Sequence, residues 1–355
     1  MIAVLHYIAL LGSIMSVSLL LPVLHGLAGG EFVEVLKLTI YALLGSFVFI
    51  SILMSVRGRA HDLSRTSSLY FVVCVWLLFP ALFAIPVADI FALSYGEALF
   101  ETISAFTTTA AEGVLGAENL SNSALWLRMQ IQWLGGFTTL VTFALFLGSM
   151  GIGGLPLRYT GVADKTSEGV SSINRFMREI LQIYGGLSVL AFVLFLLSGL
   201  TPLQSLTLAS TAISTGGYMP KGIGAVDELG SVSMIIFALI LIIGGTSIFW
   251  IKAILSFDKV RLQKHRESYV VIGLIFVLTL VFFSTLSRVS GVNGNVMMTL
   301  SESLFNAASL VTTSGLESRP GVFSLLSPLL LVFVLFFGAG CYSTAGGVKL
   351  YRLGA

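Results

Sequence analysis

The sequence predicts an all-α membrane protein built from repeated units, each with a span, a short re-entrant segment and a second span. Three observations lead to this fold class: the composition, the spacing of apolar segments and an internal repeat. Of the 355 residues, 56% are hydrophobic and 10% are charged, and the mean hydropathy is +0.98. Soluble domains carry about 25% charged residues. The composition therefore places the chain in a lipid bilayer.

Charge and residue counts exclude several classes of function. The net charge of +2 comes from short basic clusters between apolar runs, so it gives no indication of a nucleic-acid partner. The two cysteines lie inside apolar stretches and the four histidines are scattered, so neither a disulfide pattern nor a transition-metal site is expected. No Ser/His/Asp or paired-carboxylate pattern lies at membrane depth, which makes an enzyme the least expected class.

Eight segments are apolar and long enough to cross a bilayer core, which requires about 20 helical residues. No Lys or Arg precedes the first of them, so the basic region of a secretory signal is missing and we predict a retained span. The predicted spans are residues 5–25, 34–56, 69–92, 125–150, 179–200, 230–252, 269–288 and 322–348. The first two precede the repeats and are predicted to be additional N-terminal transmembrane helices.

Basic residues are concentrated in alternate connections between the spans. In other connections Lys and Arg are rare, with Lys221 as the main exception. By the positive-inside rule, the basic connections and both termini are predicted to face the cytoplasm of a multi-pass plasma (inner) membrane protein. The basic residues concerned are Arg57, Arg59, Arg65, Arg158, Lys165, Arg175, Arg178, Lys259, Arg261, Lys264, Arg266, Lys349 and Arg352.

Three outside connections contain a modestly apolar stretch of about ten residues, which is too short to cross the bilayer. These stretches follow the third, fifth and seventh predicted spans. Backbone that enters a membrane without crossing it must line a cavity or be buried in protein, because lipid cannot satisfy its N–H and C=O groups. We therefore predict re-entrant segments. The alternative is that they are amphipathic segments lying on the outer membrane surface.

The three stretches align with one another without a gap, as Phe100–Ala110, Leu206–Gly216 and Phe305–Gly315, at spacings of 106 and 99 residues. A serine recurs at one place in each: Ser104, Ser210 and Ser309. This repeat predicts four regions: two N-terminal helices (1–66) and three span–pore–span units (67–160, 161–256 and 257–355).

Each stretch ends in two hydroxyl residues and one small residue. Backbone carbonyls and hydroxyl groups can replace the hydration shell of a cation without a full charge, and the C-terminal end of a short helix favours a cation. The central thirds of the spans carry no ionisable residue, in contrast to proton-coupled carriers. We therefore predict a pseudo-symmetric ion pore lined by Thr108, Thr109, Ala110, Ser214, Thr215, Gly216, Thr313, Ser314 and Gly315.

Glycines interrupt the last predicted span. Gly-rich breaks in membrane helices are tolerated where they line a cavity, so a constriction or hinge in the ion path is favoured over a packing face of small residues. The break comprises Gly338, Gly340, Ser343, Thr344, Gly346, Gly347 and Lys349. Two other glycine pairs, Gly135–Gly136 and Gly244–Gly245, are predicted to be packing contacts between helices.

On these residues the chain resembles the membrane subunits of the Trk/Ktr/HKT superfamily of potassium transporters. Its two additional N-terminal spans make it most similar to the Trk type. The matching stretches are Phe100–Ala110, Gln132-Trp-Leu-Gly-Gly136, Ser214-Thr-Gly-Gly-Tyr218, Thr312-Thr-Ser-Gly315 and Ser343-Thr-Ala-Gly-Gly-Val-Lys349. Of these, the Ser343–Lys349 run is the most specific.

The resemblance implies a selectivity filter with one small residue per repeat, here Ala110, Gly216 and Gly315, and potassium at the filter carbonyls. It implies that residues 338–347 form an intramembrane gating loop. It also implies a homodimer and a cytoplasmic nucleotide-binding regulatory subunit (TrkA/KtrA-like). No cofactor is expected in this chain, so NAD or ATP would act only through that partner.

Two features depart from the family pattern. The family has four repeats, whereas this sequence shows three, so the fourth is expected to be absent. Ala110 stands where the family has glycine, and in plant relatives a non-glycine there accompanies sodium preference. The resemblance implies potassium uptake through a channel-like pore. Alternatives are a sodium or non-selective monovalent cation transporter, a truncated non-conducting subunit completed by another chain, and a secondary transporter with broken helices, whose repeats are usually inverted.

Overall fold

The computed structural model describes residues 2–58, 65–111, 116–150, 169–223, 226–290 and 295–349. Its helices are α1 (Ile2–Ser18), α2 (Leu20–Gly29), α3 (Phe32–Ser55), α4 (Arg65–Phe91), α5 (Tyr95–Phe106), α6 (Asn122–Met150), α7 (Gly169–Leu197), α8 (Pro202–Ile213), α9 (Gly230–Gly245), α10 (Ile248–Leu255), α11 (Lys259–Lys264), α12 (Arg266–Ser290), α13 (Val296–Val311) and α14 (Pro328–Phe336). Two short strands, β1 (Phe337–Gly338) and β2 (Val348–Lys349), pair in parallel. Arg59, Arg158, Lys165 and Arg352, which support the predicted orientation, lie outside the described residues.

Among the described residues, six helical segments are long and apolar enough to cross a membrane: Ile2–Gly29, Phe32–Ser55, Thr66–Phe91, Met177–Leu197, Val226–Gly245 and Arg266–Val289. They overlap six of the eight predicted spans, although the predicted span 230–252 is interrupted: α9 ends at Gly245 and α10 begins at Ile248. The predicted span 125–150 lies within α6, a continuous helix of 29 residues. The chain is therefore a multi-pass, all-α membrane protein, as the composition predicts.

The prediction of a continuous eighth span over residues 322–348 is wrong. Helix α14 contains only 9 residues and ends at Phe336, where the chain enters β1. The loop that follows returns to β2, so that Phe337 pairs with Val348 and Gly338 with Lys349. A helix cannot continue because the glycines on the two sides of the loop pack directly against each other. A methyl group at Gly338 would overlap the carbonyl oxygen of Gly346.

The chain forms two compact units. The first comprises Met1–Thr107 and Ala111–Ile180, and it contains the N-terminal helices and the first short helix, α5. Small residues let α1 and α3 approach closely: a methyl group at Gly12 would lie 2.5 Å from the Phe49 ring, and one at Gly45 would lie 2.5 Å from Ser16 Oγ. Such contacts are typical of helix packing in membranes, where van der Waals contact drives association.

Glu31, between α2 and α3, caps the start of α6 in this first unit. Its carboxylate accepts hydrogen bonds from the backbone N–H groups of Asn122 (2.9 Å) and Ser123 (2.8 Å). Burial alone would raise the pKa of Glu31, but hydrogen bonds from Ser123 and Asn122 and the charge of His25 outweigh it, so the pKa is lowered. A carboxylate here is stabilised by the unpaired N–H groups and the dipole of the helix N-terminus.

The second unit comprises Thr108–Ala110 and Leu181–Ala355. Its core contains a row of buried rings on three helices, because Phe237 on α9 contacts both Phe195 on α7 (6.0 Å between centroids) and Phe305 on α13 (5.1 Å). In α8, every residue from Thr207 to Ile213 is buried. For the second short segment, this burial argues against the alternative that it lies on an outer surface.

The three short helices begin at polar N-cap residues. Ser94 and Thr201 form capping boxes with Glu97 and Gln204, in which side chain and backbone exchange hydrogen bonds. The Asn295 carboxamide accepts from the N–H of Met297 (3.0 Å) at the start of α13. Three times, therefore, a long helix (α4, α7, α12) is followed by a capped short helix (α5, α8, α13). The predicted boundaries at residues 66/67, 160/161 and 256/257 stay predictions.

Candidate functional site

The three short helices end in the same way. Each C-cap residue has a hydroxyl group that donates to the carbonyl four residues earlier: Thr107 to Ile103 (2.8 Å), Ser214 to Ser210 (2.7 Å) and Thr312 to Ala308 (2.7 Å). The next three residues leave the helix axis. We name them the first turn (Thr108–Ala110), the second turn (Thr215–Gly217) and the third turn (Thr313–Gly315). All three belong to the second unit.

A second hydrogen bond ties each short helix to the chain that returns after its turn. It spans seven residues every time, from Ser104 Oγ to the carbonyl of Ala111 (3.2 Å), from Thr211 Oγ1 to Tyr218 (2.8 Å) and from Ser309 Oγ to Leu316 (2.6 Å). The return strand is thus fixed against its own helix without a β-sheet. The repeat seen in the sequence is present in the hydrogen bonds of these three segments.

These bonds correct the predicted alignment of the second repeat by one residue. The sequence pattern matches Ser210 with Ser104 and Ser309, but the structural equivalent is Thr211. Consequently Thr215, Gly216 and Gly217 correspond to Thr108, Thr109 and Ala110, and the small residue at the end of the second turn is Gly217 instead of Gly216. The sequence pattern alone could not distinguish the two alignments, because Ser210 and Thr211 are both hydroxyl residues.

The turns contain backbone conformations that side chains rarely adopt. Thr108, Thr215 and Thr313, the first residues of the three turns, have φ values of 57°, 52° and 58°. A β-branched residue at positive φ is a true outlier, and each such residue costs ~1–3 kcal/mol unless its surroundings enforce it. Strain of this kind clusters at ligand-binding sites. Its recurrence at one position in three repeats marks the turns as a functional site.

The small residues that end the first and third turns are also left-handed, with φ of 49° at Ala110 and 76° at Gly315. A residue in this region rotates its peptide plane, so successive carbonyls no longer alternate between two sides as they do in an extended strand. Glycine adopts this conformation freely, whereas alanine adopts it with strain. Ala110 therefore carries a cost that Gly315 does not.

The three turns contact one another in chain order. A methyl group at Gly217 would lie 3.3 Å from Cβ of Ala110 and 3.0 Å from the carbonyl oxygen of Ser314. The Ser314 hydroxyl donates a short hydrogen bond to the carbonyl of Gly216. The second turn thus lies between the other two, and residues that are about 100 positions apart in sequence form one site.

The site is rich in uncharged oxygen atoms. Each turn follows the C-terminal end of a short helix, which carries a partial negative charge, and the turns themselves contain hydroxyl groups and carbonyls but no ionisable side chain. Ser214 and Thr215 are buried, whereas Thr109 and Gly315 are exposed, so the site connects the interior to the surface of its unit. This chemistry suits a dehydrated monovalent cation.

Glycines on neighbouring helices allow close approach to the ends of the short helices. A methyl group at Gly135 on α6 would overlap the carbonyl oxygen of Phe106, the last residue of α5. A methyl group at Gly244 on α9 would lie 2.8 Å from the carbonyl oxygen of Ile213, the last residue of α8. As predicted, both glycine pairs make packing contacts. One residue of each pair lies against the last residue of a short helix, directly before a turn.

The glycine-rich loop between β1 and β2 is buried over most of its length, from Gly338 to Ala345. The Ser343 hydroxyl closes the loop internally by donating to the carbonyl of Gly340 (2.6 Å). At its base, a methyl group at Gly347 would lie 2.5 Å from Cα of Gly338. The predicted loop residues therefore form one compact loop, although nothing is described of the Lys349 side chain.

Hydrogen bonds join this loop to the second turn. The Thr344 hydroxyl oxygen lies 3.1 Å from the carbonyl of Ile213, 3.0 Å from the carbonyl of Gly244 and 3.2 Å from the Thr215 hydroxyl, which donates to it. The backbone N–H groups of Gly340 and Thr344 donate to the carbonyls of Gly245 (3.0 Å) and Gly244 (3.1 Å). The loop is therefore fastened to the end of α8 and the end of α9.

One further bond joins the loop to the third turn. The N–H of Gly346 donates to Thr313 Oγ1 at 2.8 Å, and a methyl group at Gly245 would lie 2.5 Å from Cγ2 of Thr312. The structure thus brings together the predicted residues of all three turns and the loop within one unit. The residues that the sequence pattern missed are Gly217 and the C-cap hydroxyls of Thr107 and Thr312, which a comparison of helix ends reveals.

These features define a class: a multi-pass membrane protein with repeated short re-entrant helices whose turns meet at one site. No family model matches the chain. It is 31% identical over 271 residues to the Trk system potassium uptake protein TrkI of Halomonas elongata, which covers 73% of this chain and 53% of that protein. It is 27% identical over 364 residues to the Trk system potassium uptake protein TrkH of Vibrio parahaemolyticus, which covers 99% of this chain and 74% of that protein.

The crystal structure of the potassium transporter TrkH from Vibrio parahaemolyticus matches the fold with a TM-score of 0.81 at 25% identity, over 99% of this chain and 73% of that chain. Taken with the sequence relatives, this shows that the chain belongs to the Trk-type membrane subunits. The chain spans from about half to three quarters of the length of these relatives.

Proposed function

We propose that the protein takes up potassium ions across the plasma membrane, as the membrane subunit of a Trk-type system. The observation that carries the proposal is the set of three turns in mutual contact, each beginning with a threonine held at positive φ. Strained backbone lined with uncharged oxygens is suited to a cation that has lost its water. The names of the relatives, potassium uptake proteins and a potassium transporter, support the same cation.

The path in this proposal is channel-like and passive. Thr108–Ala110, Thr215–Gly217 and Thr313–Gly315 supply carbonyls and hydroxyls, and the ends of α5, α8 and α13 add partial negative charge. Moving one positive charge inward through 100 mV is worth about 2.3 kcal/mol, so the membrane potential suffices to drive uptake. The protein would then catalyse no chemical reaction and would hold no cofactor of its own.

The loop from Gly338 to Gly347 closes the path in this proposal. Its support is the set of hydrogen bonds from Thr344, Gly340 and Gly346 to the ends of the helices and turns. Opening would require these bonds to be exchanged for others. Each contributes ~0.5–1.5 kcal/mol net, so a regulatory partner could shift such an equilibrium.

The assembly is proposed from the family. We propose a homodimer with both termini in the cytoplasm, and a cytoplasmic nucleotide-binding regulatory subunit (TrkA-like) that binds NAD or ATP and contacts the basic connections. Arg261 illustrates such a connection, since it lies on α11 and is half-exposed beside Asp258 (2.9 Å). Basic residues that set orientation would also serve as contact sites for the partner.

A second candidate is transport of sodium, or of monovalent cations without selectivity. The observation that favours it is Ala110, whose Cβ lies beside the second turn where the third turn has a glycine. The added methyl group restricts the backbone of the first turn. A less symmetric set of carbonyls would discriminate less well between cations.

The proposal is tested by expressing the full protein in a host deficient in potassium uptake, and by potassium and sodium flux into vesicles. We expect rescue of growth at low potassium, with a loss of flux in Ser314→Ala, which removes the hydroxyl that joins the third turn to the carbonyl of Gly216. The matched control is Ser284→Ala on α12, whose hydroxyl donates to its own helix (2.9 Å to Val281). Absence of potassium flux from correctly inserted protein would overturn the proposal, and sodium flux alone would support the second candidate.

A further inference from the structure

We infer that Asn306, with Glu302 and Arg319, is a positioning residue that holds the third turn at the width required for potassium over sodium. The inference rests on the proposed function. It concerns side chains behind the turn, which do not belong to the predicted filter or the loop. Its basis is a buried polar network that joins α13 to the strand returning from the third turn.

Asn306 clamps Ser318, the third residue after Gly315. Its Oδ1 accepts the backbone N–H of Ser318 (2.9 Å), and its Nδ2 donates to Ser318 Oγ (2.7 Å) and to the carbonyl of Glu302 (2.7 Å). Asn306 and Ser318 are both fully buried. Because the amide is bonded on both sides, its burial costs little, but loss of one partner would leave polar groups unpaired.

An ion-pair network reinforces this clamp. Arg319 donates to the carboxylate of Glu302 (2.5 Å), which is fully buried, and its Nε lies 3.6 Å from the carboxylate of Asp227. The N–H of Asp227 also donates to the carbonyl of Ser318 (3.1 Å). Ser318 is therefore held from two sides, by α13 and by the chain that leads to α9.

The second repeat shows that a turn of this kind does not require the network. Six residues before the C-cap, where α13 has Asn306, α8 has Leu208 and α5 has Glu101. Leu208 is fully buried, and the second turn adopts its left-handed threonine without any polar side chain at this place. Glu101 in α5 pairs with Arg128 of α6 (3.1 Å). The clamp of the third repeat is thus absent from the second, although both repeats have the same turn.

The clamp fixes the distance between the two ends of the third turn. Ser309 bonds the carbonyl of Leu316 (2.6 Å) and Asn306 bonds Ser318, so two points of the returning segment are attached to α13, at whose end the turn begins. With both attachments in place, the carbonyls of Thr313–Gly315 cannot move inward to surround a smaller ion. Sodium, being smaller than potassium, would then be bound with longer and weaker contacts.

The test replaces Asn306 with leucine, the residue that the second repeat carries at this place. The full protein is purified, and its melting temperature is measured against potassium and sodium concentration, because a cation that binds only the folded state raises it. We expect the ratio of potassium to sodium affinity to fall about fivefold in Asn306→Leu, the change that corresponds to one hydrogen bond of ~1 kcal/mol. The flux ratio in vesicles should fall to the same extent.

Ser303→Ala is the matched control. Ser303 is buried on the same helix, and its hydroxyl donates only within α13 (2.6 Å to Thr299), so this variant loses a buried hydrogen bond without touching the return strand. We expect it to lower the melting temperature and leave the cation ratio unchanged. If Asn306→Leu fails to fold, Ser318→Ala removes one bond of the clamp and retains the backbone bond, and it should shift the ratio in the same direction by less.

The outcomes separate the inference from the function on which it rests. If the unaltered protein is not stabilised by potassium and does not transport it, the proposed function fails. If it binds and transports potassium, and Asn306→Leu or Ser318→Ala is folded with an unchanged ratio, the positioning role is overturned and the function stands. An equal shift in Ser303→Ala would also overturn it, because general destabilisation would then explain the effect.

Discussion

The second and third turns share one backbone geometry, yet different parts of the chain hold them. The second turn has Leu208 behind it, and its polar contacts go to the loop, through Thr215 and Thr344 (3.2 Å). The third turn has Asn306 behind it, and its return strand is clamped at Ser318 (2.9 Å). The loop that we propose moves is bonded to both turns, through Thr344 to Thr215 and through Gly346 to Thr313 (2.8 Å), but the third turn has in addition the clamp on its return strand. Turns with the same backbone geometry can therefore be held with different strength, which is the basis of the different roles that we propose for them.

The largest effect should come from Gly244→Ala, which attacks the second turn. The added methyl group would meet the carbonyl oxygen of Ile213 at 2.8 Å and Cγ2 of Thr215 at 3.0 Å, so backbone must shift. Overpacking of this kind costs ~1–3 kcal/mol. We expect potassium flux to fall by about tenfold or more, since ~1.4 kcal/mol is a factor of ten.

Gly245→Ala provides the contrast and Gly273→Ala the control. At Gly245 the new methyl group would lie 2.5 Å from Cγ2 of the buried Thr312, so this variant displaces the end of α13 instead of the end of α8, and its loss of flux reports on the third turn. Nothing lies within 4 Å of a methyl group at Gly273. Equal flux in Gly244→Ala and Gly273→Ala, measured at equal protein incorporation, would show that close packing against the second turn is not required for transport.

Thr344→Val should sharpen the comparison by releasing the loop. Valine keeps the shape of threonine but loses the hydroxyl contacts with Ile213, Gly244 and Thr215, and it retains the backbone N–H bond to Gly244 (3.1 Å). Loss of ~1 kcal/mol from the closed arrangement would raise the open fraction about fivefold. We therefore expect higher cation flux in vesicles, with the potassium to sodium ratio unchanged. A lower flux, or an altered ratio at unchanged flux, would contradict the division of roles between the turns.

Ala110→Gly extends the comparison to the first turn. Glycine at φ 49° relieves the strain of a left-handed alanine, worth ~1–2 kcal/mol, and removes the methyl group beside Gly217. We expect a higher potassium to sodium ratio, by a factor of about two to five, in paired flux measurements. An unchanged ratio would show that the third turn sets selectivity without the first.

The smallest effect is expected at Glu31, which belongs to neither turn. Since its pKa is lowered in the folded protein, its contribution is present above the pKa of the unfolded chain and is lost as pH falls through the folded value. Glu31→Gln should lower the melting temperature at pH 7 by about 2 °C, the effect of ~1 kcal/mol on a large domain. The difference should vanish in acid, and the cation ratio should not change. A changed ratio would mean that general destabilisation imitates a filter defect.

Much of this architecture could be predicted from the sequence, because it depends on local patterns. Apolar length fixes the spans, and the recurrence of hydroxyl and small residues locates the three turns. Ala110, Gly216 and Ser314, all predicted site residues, belong to turns that contact one another, and their role in ion passage stays a prediction. The family resemblance, carried by the run from Ser343 to Lys349, is confirmed by the relatives and the matching crystal structure.

Other features could not be predicted because they depend on contacts across the fold. Hydropathy does not distinguish a continuous span from α14 followed by a loop, since glycines break a helix without making it polar. The alignment of the second repeat depended on choosing between Ser210 and Thr211, and only the bond to Tyr218 (2.8 Å) identifies Thr211. Asn306 and Ser318 lie 12 residues apart on either side of a turn, so no periodic pattern pairs them.

The closed base of the loop limits how it can move. Phe337 and Gly338 pair with Val348 and Lys349, and the glycines at this crossing leave no space for even one more carbon atom. A loop whose two ends are paired moves as a rigid unit, because unfolding it would first require the pairing of β1 with β2 to break. Displacement is then confined to torsions in the chain outside the crossing. A force applied at Lys349 would then displace the whole loop against the second and third turns, which it contacts through Thr344 and Gly346.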